Sequence, residues 1–243
     1  MSFFREMLVT EDNPFKIQEV ANKGPKKHLD VDDLYANNSG TVLAFKQQDY
    51  VIIAADTRHS SEMGINSRKM TKIFEFDGFI FSGTGFYADL NEVYFRLRYE
   101  VERYENEVEK RIGISALAHK LLNILYSRRG GLIYYVFSVL VGKDETGEPV
   151  LYSFDPIGSY EQVMCKCYGS ASPMIQPLLD STIMKYNQEN ASYQSLCMEE
   201  SVELTKKAFF AAAERDVNTG DYLQIVVYKR DGVNEELVDL RKD

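Results

Sequence analysis

The sequence predicts an α+β protein built as a four-layer α/β/β/α sandwich with two antiparallel sheets. Three observations lead to this fold class. Several predicted strands follow one another as hairpins, whose strands are antiparallel. Two separate pairs of amphipathic helices interrupt the strands, and each pair needs an apolar surface on which to bury its stripe. The resulting order of strands, two helices, strands, two helices and strands excludes both a doubly wound parallel sheet and an all-β architecture.

The strands of the first half are apolar, rich in Val, Ile and Phe, and joined by polar turns. They are predicted over Thr41–Lys46, Tyr50–Asp56, Lys72–Phe76 and Phe79–Ser82. The dipeptide Asp77-Gly78 between the last two strands is a strong signal for a tight type I′ turn. The first helix pair follows, because apolar residues then recur at three- and four-residue steps from Leu90 to Val108 and from Ile114 to Leu125.

The second half repeats the strand-then-helix order. Strands are predicted over Ile133–Val141, Pro149–Phe154 and Glu161–Tyr168, helices over about Pro173–Gln188 and Met198–Glu214, and a closing hairpin over Tyr222–Lys229 and Glu235–Leu240. Residues 1–39 are different, being polar, with two prolines and no sustained period. We therefore predict an N-terminal extension or pro-segment over residues 1–39 and one domain over residues 40–243.

Composition restricts the classes of function. The chain has 243 residues, a net charge of −9 and a pI near 5.0. This charge argues against nucleic-acid binding, which uses a basic face, and against an anionic membrane surface. Three cysteines do not make a disulfide framework, and the three histidines are scattered, so we expect neither a metal nor a cofactor. With no secretory signal and no long apolar span, a soluble intracellular protein is expected.

The common catalytic motifs are absent from the sequence. There is no Gly-x-Ser-x-Gly elbow, and the run beginning at Gly169 lacks the Lys-Ser/Thr of a phosphate-binding loop. Polar residues instead stand at the ends of predicted elements: Asp56, Lys72, Ser170 and Asp216. Taken singly, each of them is more often structural than catalytic.

Taken together, these residues resemble the proteasome β-subunit family in order and spacing. The matching runs are Ser39-Gly-Thr-Val-Leu-Ala-Phe, Ala55-Asp-Thr-Arg, Lys72, Tyr168-Gly-Ser-Ala-Ser and Arg215-Asp-Val-Asn-Thr-Gly-Asp. The resemblance covers Gly40 to the C-terminus. Longer runs are similar to the non-catalytic member at the sixth β position of the eukaryotic ring, among them Tyr126-Ser-Arg-Arg, Gln176-Pro-Leu-Leu-Asp and Leu240-Arg-Lys-Asp. The family implies the N-terminal-nucleophile hydrolase fold, which is a four-layer sandwich.

The resemblance also implies roles for particular residues. Active members of the family are threonine proteases, in which the hydroxyl of an N-terminal threonine attacks the peptide and the freed α-amine acts as base. By this resemblance Asp56 orients Lys72, and Lys72 keeps the nucleophile activated. Ser170 and Asp216 match the pair that positions the amine, and Thr219 stands where a serine is usual. The nucleophile position itself falls on Gly40.

Glycine has no hydroxyl, so Gly40 predicts an inactive site. The rival interpretation is that Gly40-Thr41 resembles the junction at which active subunits cleave themselves, which would expose Thr41 as nucleophile. Thr41, however, precedes Asp56 by 15 residues and Lys72 by 31, one fewer in each case than the family spacing. A slip of one residue on a strand turns the side chain to the opposite face. We therefore predict that the site is inactive and that Asp56 and Lys72 form a structural ion pair beneath it.

The expected function is that of a non-catalytic structural β subunit of the 20S proteasome core, in ubiquitin-dependent protein degradation in the cytoplasm and nucleus. The resemblance implies neighbours at the fifth and seventh β positions, an opposite β ring and an α ring. Candidate contact elements are the extension 1–39, the segment Tyr126–Val136, the loop Glu189–Cys197 and the C-terminal tail. Two alternatives remain: an active threonine endopeptidase that uses Thr41 after cleavage of Gly40-Thr41, and a stand-alone enzyme of the same fold, such as an amidohydrolase.

Overall fold

The computed structural model describes residues 35–38, 40–61, 64–185, 188 and 195–242. In chain order the strands are β1 (Thr41–Lys46), β2 (Tyr50–Asp56), β3 (His59–Ser61), β4 (Gly64–Ser67), β5 (Ile73–Phe76), β6 (Phe79–Gly85), β7 (Val136–Lys143), β8 (Pro149–Phe154), β9 (Tyr160–Gln162), β10 (Cys165–Gly169), β11 (Tyr222–Lys229) and β12 (Gly232–Asp239). The helices are α1 (Tyr87–Val108), α2 (Ile114–Tyr126), α3 (Ser172–Leu179) and α4 (Met198–Ala213). The part of the predicted extension over residues 1–34 and the loop over residues 189–194 lie outside the described residues.

Two five-stranded antiparallel sheets are stacked between two helix layers. The first sheet has the order β10-β1-β2-β11-β12, the second has the order β5-β6-β7-β8-β9, and β3 and β4 form a separate hairpin. Helices α3 and α4 cover the first sheet, and α1 and α2 cover the second, each pair over its own apolar core. A third core fills the space between the sheets. The predicted four-layer α/β/β/α sandwich is confirmed.

Burial explains the sequence pattern of the central elements. All seven residues of β2 are buried, because this strand lies inside the first sheet. Ile52 and Ala54 face the helix layer, whereas Ile53 and Ala55 face the second sheet. A strand covered on both faces reads as a continuous apolar run rather than an alternating one. Helix α1 is amphipathic instead, and buries one stripe: Leu90, Val93, Leu97 and Val101.

The predicted strand Glu161–Tyr168 is wrong as a single element. The structure divides it into β9, which pairs with β8 in the second sheet, and β10, which pairs with β1 in the first sheet. Val163 and Met164 carry the chain from one sheet to the other: the Val163 N–H donates to the Leu151 carbonyl, and the Met164 carbonyl accepts from the Lys46 N–H. The residue pattern of so short a run cannot reveal that its two halves belong to different sheets.

Other boundaries differ for local reasons. The helix predicted over Pro173–Gln188 is shorter: α3 ends at Leu179, a single π-helical turn follows over Asp180–Met184, and Lys185 then ends the helical run in the left-handed region at φ 51°. The type I′ turn is confirmed, since Asp77 and Gly78 both have positive φ, at 47° and 80°. In the described part of the chain, every helix is too short or too polar to traverse a bilayer.

Candidate functional site

The candidate site forms where several elements begin or end at the same edge of the first sheet. Thr41 opens β1 and is paired with Gly169 at the end of β10. Asp56 ends β2, whose neighbouring residue Ala55 pairs with Val42 of β1. Because neighbouring strands are antiparallel, the start of one and the end of the next lie side by side. Lys72 reaches the same place from the segment before β5. The structure therefore brings together the residues that the sequence separates.

Lys72 and Asp56 form a buried ion pair, as predicted. The Nζ–Oδ1 distance is 2.8 Å, and the side chains are 2% and 0% exposed. The Lys72 ammonium also donates to the Asp56 carbonyl at 2.8 Å and to the Arg58 carbonyl at 2.7 Å. An ammonium group has three donors, and all three are used. Burial lowers the pKa of Lys72 from its ordinary value, and the Asp56 charge opposes that shift.

Both oxygens of the Asp56 carboxylate are also fully used as hydrogen-bond acceptors. Its Oδ1 accepts from the backbone N–H of Thr41 at 2.7 Å as well as from Lys72. Its Oδ2 accepts from the N–H groups of Arg58 and Gly220 at 3.2 and 3.4 Å. Burial raises the pKa of Asp56, and the Lys72 charge and these hydrogen bonds offset part of that shift. The carboxylate thus joins β1, β2 and the segment before β11.

Gly40 lies directly against this ion pair. Its φ is +94°, a conformation that favours glycine, and a β-carbon built on it would lie 2.2 Å from Lys72 Nζ and 2.7 Å from Asp56 Oδ1. The Gly40 carbonyl accepts hydrogen bonds from the Ser170 N–H at 3.2 Å and the Thr84 hydroxyl at 3.3 Å. The direction in which residue 40 would extend a side chain is therefore towards Lys72, and the ammonium occupies that space.

Thr41 points to the other side, into a hydrogen-bond chain with Thr219 and Asp216. The Thr219 hydroxyl donates to Asp216 Oδ2 at 2.6 Å, so it accepts from the Thr41 hydroxyl at 2.8 Å. The Ala171 N–H in turn donates to Thr41 Oγ1 at 3.1 Å. Thr41 is 0% exposed. Thr41 opens β1, where side chains alternate, so it shares the face of Leu43 beneath the helix layer and not that of Val42 between the sheets.

Ser170 closes the cluster. Its hydroxyl donates to the same Asp216 Oδ2 at 2.5 Å, and its backbone N–H contacts the Gly40 carbonyl. The seven residues singled out from the sequence therefore form one connected cluster: Gly40, Thr41, Asp56, Lys72, Ser170, Asp216 and Thr219.

Beside Gly40 is a cleft of about 250 Å³ with an aromatic wall. Its lining residues are Asn37, Thr84, Gly85, Tyr135, Phe137, Tyr168, Gly169, Ser170 and Ser172. Residues 35–38 are hydrogen-bonded to the domain on the side of this cleft. Asn38 Oδ1 accepts from the Tyr87 N–H at the first turn of α1 at 2.9 Å, and the Tyr35 hydroxyl donates to the Ile133 carbonyl at 2.7 Å. The chain is thus anchored to the sandwich before residue 40.

Sequence reasoning missed residues that act through their backbone or through a second charge. The Arg58 carbonyl holds Lys72, while its guanidinium binds the buried Asp221 at 2.9 Å and the Val217 carbonyl at 2.6 Å. Arg68 also binds Asp221. An arginine two residues after Asp56 at a strand end was the available signal. A carbonyl acceptor, which every residue carries, gives no signal in the sequence.

A two-sheet sandwich with this edge cluster defines an α+β fold of the N-terminal-nucleophile hydrolase type. Comparison with known proteins agrees, because the family described as "Proteasome subunit" matches residues 36–228. The chain belongs to the proteasome family and is a β subunit of the 20S core.

Relatives with the same kind of name occur across eukaryotes. The chain is 50% identical over 211 residues to "Probable proteasome subunit beta type-6" of Encephalitozoon cuniculi, covering 87% of this chain and 71% of that protein. It is 40% identical to "Proteasome subunit beta type-1" of Danio rerio, covering 94% and 95%. It is 34% identical to "Proteasome subunit beta type-6" of Saccharomyces cerevisiae, covering 86% and 90%. Each of these is a protein to which this chain is similar.

Proposed function

We propose that this chain is a non-catalytic, structural β subunit, which fills one place in the β ring and lines the chamber in which other subunits cut. The observation that carries the proposal is the geometry at Gly40. Gly40 has no side chain. A β-carbon added to it would lie 2.2 Å from the Lys72 ammonium nitrogen, so that nitrogen already fills the space a side chain would need. A threonine protease of this family needs a hydroxyl at that place, and residue 40 supplies none.

The saturation of Lys72 supports the same conclusion. A lysine that activates a nucleophile must direct a donor or its charge at the reacting oxygen. Here its three N–H donors go to Asp56 Oδ1, the Asp56 carbonyl and the Arg58 carbonyl. The ammonium has no donor left for a substrate or a hydroxyl, so the pair is built for stability rather than for proton transfer.

The arrangement around Thr41 argues against the alternative that Thr41 is the nucleophile. Its hydroxyl is buried, donates to Thr219 and accepts from the Ala171 N–H. Cleavage of Gly40-Thr41 would give Thr41 an amine, but the hydroxyl would still lie on the face opposite Lys72. A nucleophile has to stand within about 3–3.5 Å of its target in a near-attack pose. The same position of the Thr41 hydroxyl weighs against a stand-alone hydrolase that uses this site.

The neighbours and the location belong to the same proposal. Proteasome subunits work in a core complex with other proteasome subunits. We propose that this chain contacts subunits at the fifth and seventh β positions, the opposite β ring and the α ring, in the cytoplasm and nucleus. Size-exclusion chromatography of a native extract tests the assembled state, because an abundant free chain of 27.9 kDa would contradict it and favour a stand-alone enzyme.

The deciding experiment is intact-mass analysis of the mature chain within the purified complex, after treatment with an electrophilic probe for N-terminal threonine. Catalytic subunits in the same sample are the positive control, and they should gain the mass of the probe. This chain should gain none. A chain that begins at Thr41 and carries the probe covalently would overturn the proposal and establish the threonine-protease alternative.

A further inference from the structure

The segment that follows α2 carries a feature that the candidate site does not use. Two consecutive arginines, Arg128 and Arg129, are exposed between two half-exposed apolar side chains, Tyr126 at 50% and Leu132 at 53%. We call these four residues the arginine–tyrosine surface. It lies within the segment Tyr126–Val136, which the sequence analysis singled out as a candidate contact.

The turn that presents this surface is ordered by its own hydrogen bonds. The N–H groups of Arg128 and Arg129 donate to the carbonyls of Leu125 and Tyr126 at 3.2 and 2.9 Å, and the Gly131 N–H donates to the Arg128 carbonyl at 3.2 Å. Tyr134, just beyond the turn, is only 5% exposed and anchors the segment in the core under α1 and α2. The two arginines are therefore presented from a fixed backbone.

Aromatic rings also hold both guanidinium groups. The Arg129 guanidinium carbon lies 5.2 Å from the centroid of the Tyr126 ring, and its Nη1 donates to the Tyr126 hydroxyl at 2.6 Å. The Arg128 guanidinium carbon lies 5.2 Å from the centroid of the Tyr134 ring. Stacking of this kind reduces the freedom of the side chain and leaves N–H donors at the edge of the guanidinium plane for a carboxylate.

Neither arginine has a carboxylate partner among the described residues, although most of the other described arginines do. Those with an ion pair are Arg58, Arg68, Arg96, Arg98, Arg103, Arg230 and Arg241. The Asp89 charge acts on Arg128 at longer range, but its carboxylate is engaged by the Tyr135 N–H at 2.9 Å. Within the part of the chain that the structure describes, these two preorganised positive charges thus have no ion-pair partner, on a chain whose net charge is −9.

We propose that the arginine–tyrosine surface docks an acidic segment of a neighbouring subunit. Arg128 and Arg129 each offer N–H donors to an Asp or Glu carboxylate of that segment, and apolar side chains of the segment pack on Tyr126 or Leu132. The inference rests on the proposed function, because it needs a subunit assembly. Nucleic acid is the less suitable occupant, since phosphate binding uses many cations and this surface offers two on an acidic protein.

The test compares two charge reversals within the intact complex. In the first variant, Arg128→Glu and Arg129→Glu are combined. The matched control combines Lys110→Glu and Arg111→Glu, which reverses two consecutive exposed cations that form no ion pair among the described residues. We expect the first variant to lower the recovery of this chain with other proteasome subunits at least about tenfold, as loss of a paired interface charge does. The control should assemble normally.

Photo-cross-linking identifies the occupant without depending on how a charge-reversal variant folds. A photoreactive residue at Leu132, in an otherwise unchanged chain, should cross-link within the complex to one segment that carries Asp or Glu. Reversing that acidic residue to Lys should restore assembly of the Arg128→Glu, Arg129→Glu chain.

Three outcomes overturn the inference: cross-linking to a segment without an acidic residue or to nucleic acid, equal losses in the two variants, or full assembly of both. In that last case the proposed function stands and only the docking surface fails. If the unchanged chain does not co-purify with proteasome subunits at all, the proposed function fails as well.

Discussion

At Gly40 the absence of a single carbon atom allows the whole buried cluster to form. A β-carbon on residue 40 would lie within 2.7 Å of both Lys72 Nζ and Asp56 Oδ1. We predict that Gly40→Ala destabilises the chain by more than the about 1–2 kcal/mol that a left-handed conformation costs alanine, because Lys72 must also move. Thermal or denaturant unfolding of the full chain measures this. Gly131→Ala is the control, since its φ is not left-handed and its nearest atom is 3.9 Å away; equal losses would contradict the prediction.

The Lys72–Asp56 pair makes a second prediction at this scale. Lys72→Met keeps the length of the side chain but leaves the Asp56 carboxylate buried without its partner, so we expect a loss of about 3–5 kcal/mol in the free energy of unfolding. Adding Asp56→Asn should recover part of that loss, because no buried charge then remains. Lys120→Met removes a partly exposed pair with Glu100 and should cost about 1 kcal/mol or less. A double variant no more stable than Lys72→Met would refute the account.

The stability of the folded chain is expected to depend on pH through His59. Burial first, and the Lys72 charge second, lower the pKa of His59 from its ordinary value of 6.5. The unfolded chain therefore binds the proton at a higher pH than the folded chain, and stability falls as pH drops below about 6.5 towards the folded pKa. We predict that His59→Gln makes the unfolding temperature less sensitive to pH between 7 and 5. His119→Gln is the control for loss of an imidazole, and an equal change in both variants would contradict the prediction.

Whether a residue of the site can be predicted from the sequence depends on which of its atoms takes part. Asp56, Lys72 and Asp216 could be identified because their side chains carry the charge or the acceptor. The hydrogen bond from Lys72 to the Arg58 carbonyl could not be predicted, since every residue carries a carbonyl. Thr84 was also missed, because it meets Gly40 only through the pairing of β6 within the second sheet and the stacking of the two sheets.

At the scale of elements, period and turn chemistry located every strand of six or more residues, although the predicted bounds of β6, β7 and β12 differ from the structure by up to three residues. The short strands were predicted poorly. The bounds of β1, β2, β8 and β11 match the structure, because each is an apolar run with polar residues at its ends. The hairpin β3–β4 was missed, since its strands have three and four residues, are mostly polar and show no alternation. The division between β9 and β10 is a tertiary effect, because one predicted strand contributes its first half to the second sheet and its second half to the first sheet.

The N-terminus of helix α1 is capped by a residue from a distant part of the chain. Its N-cap residue, Phe86, has no side-chain hydrogen bond, and Asn38 supplies one from a distant part of the chain by accepting from the Tyr87 N–H at 2.9 Å. We predict that Asn38→Ala destabilises the domain by about 0.5–2 kcal/mol, the usual cost of losing a cap, measured by unfolding of the full chain. Asn123→Ala, on an exposed position of α2, should cost nothing; a similar loss there would exclude a capping role.

On the scale of the whole molecule, three apolar cores hold the four layers together, and the polar cluster closes one edge of the middle core. The Asp56–Lys72 pair, Thr41 and Thr219 connect β1, β2, the segment before β5 and the segment before β11 by hydrogen bonds. A cluster that ties both sheets together would serve the structural role proposed above, in which the subunit has to keep its shape. Under that proposal, the buried charges and hydroxyls around Gly40 are kept for stability.

The last prediction distinguishes a structural role of this chain from a catalytic one in the assembled particle. If the cluster stabilises this subunit and catalyses nothing, Lys72→Met should lower the amount of assembled core, because a destabilised chain enters the ring less often. Each particle that does assemble should hydrolyse peptides at the unchanged rate, since the nucleophiles belong to other subunits. The measurement is peptide hydrolysis divided by the particle concentration from native mass spectrometry, with Lys120→Met as the control for yield. Loss of one peptide-hydrolysing activity per particle, at normal assembly, would show that this chain cuts peptides itself.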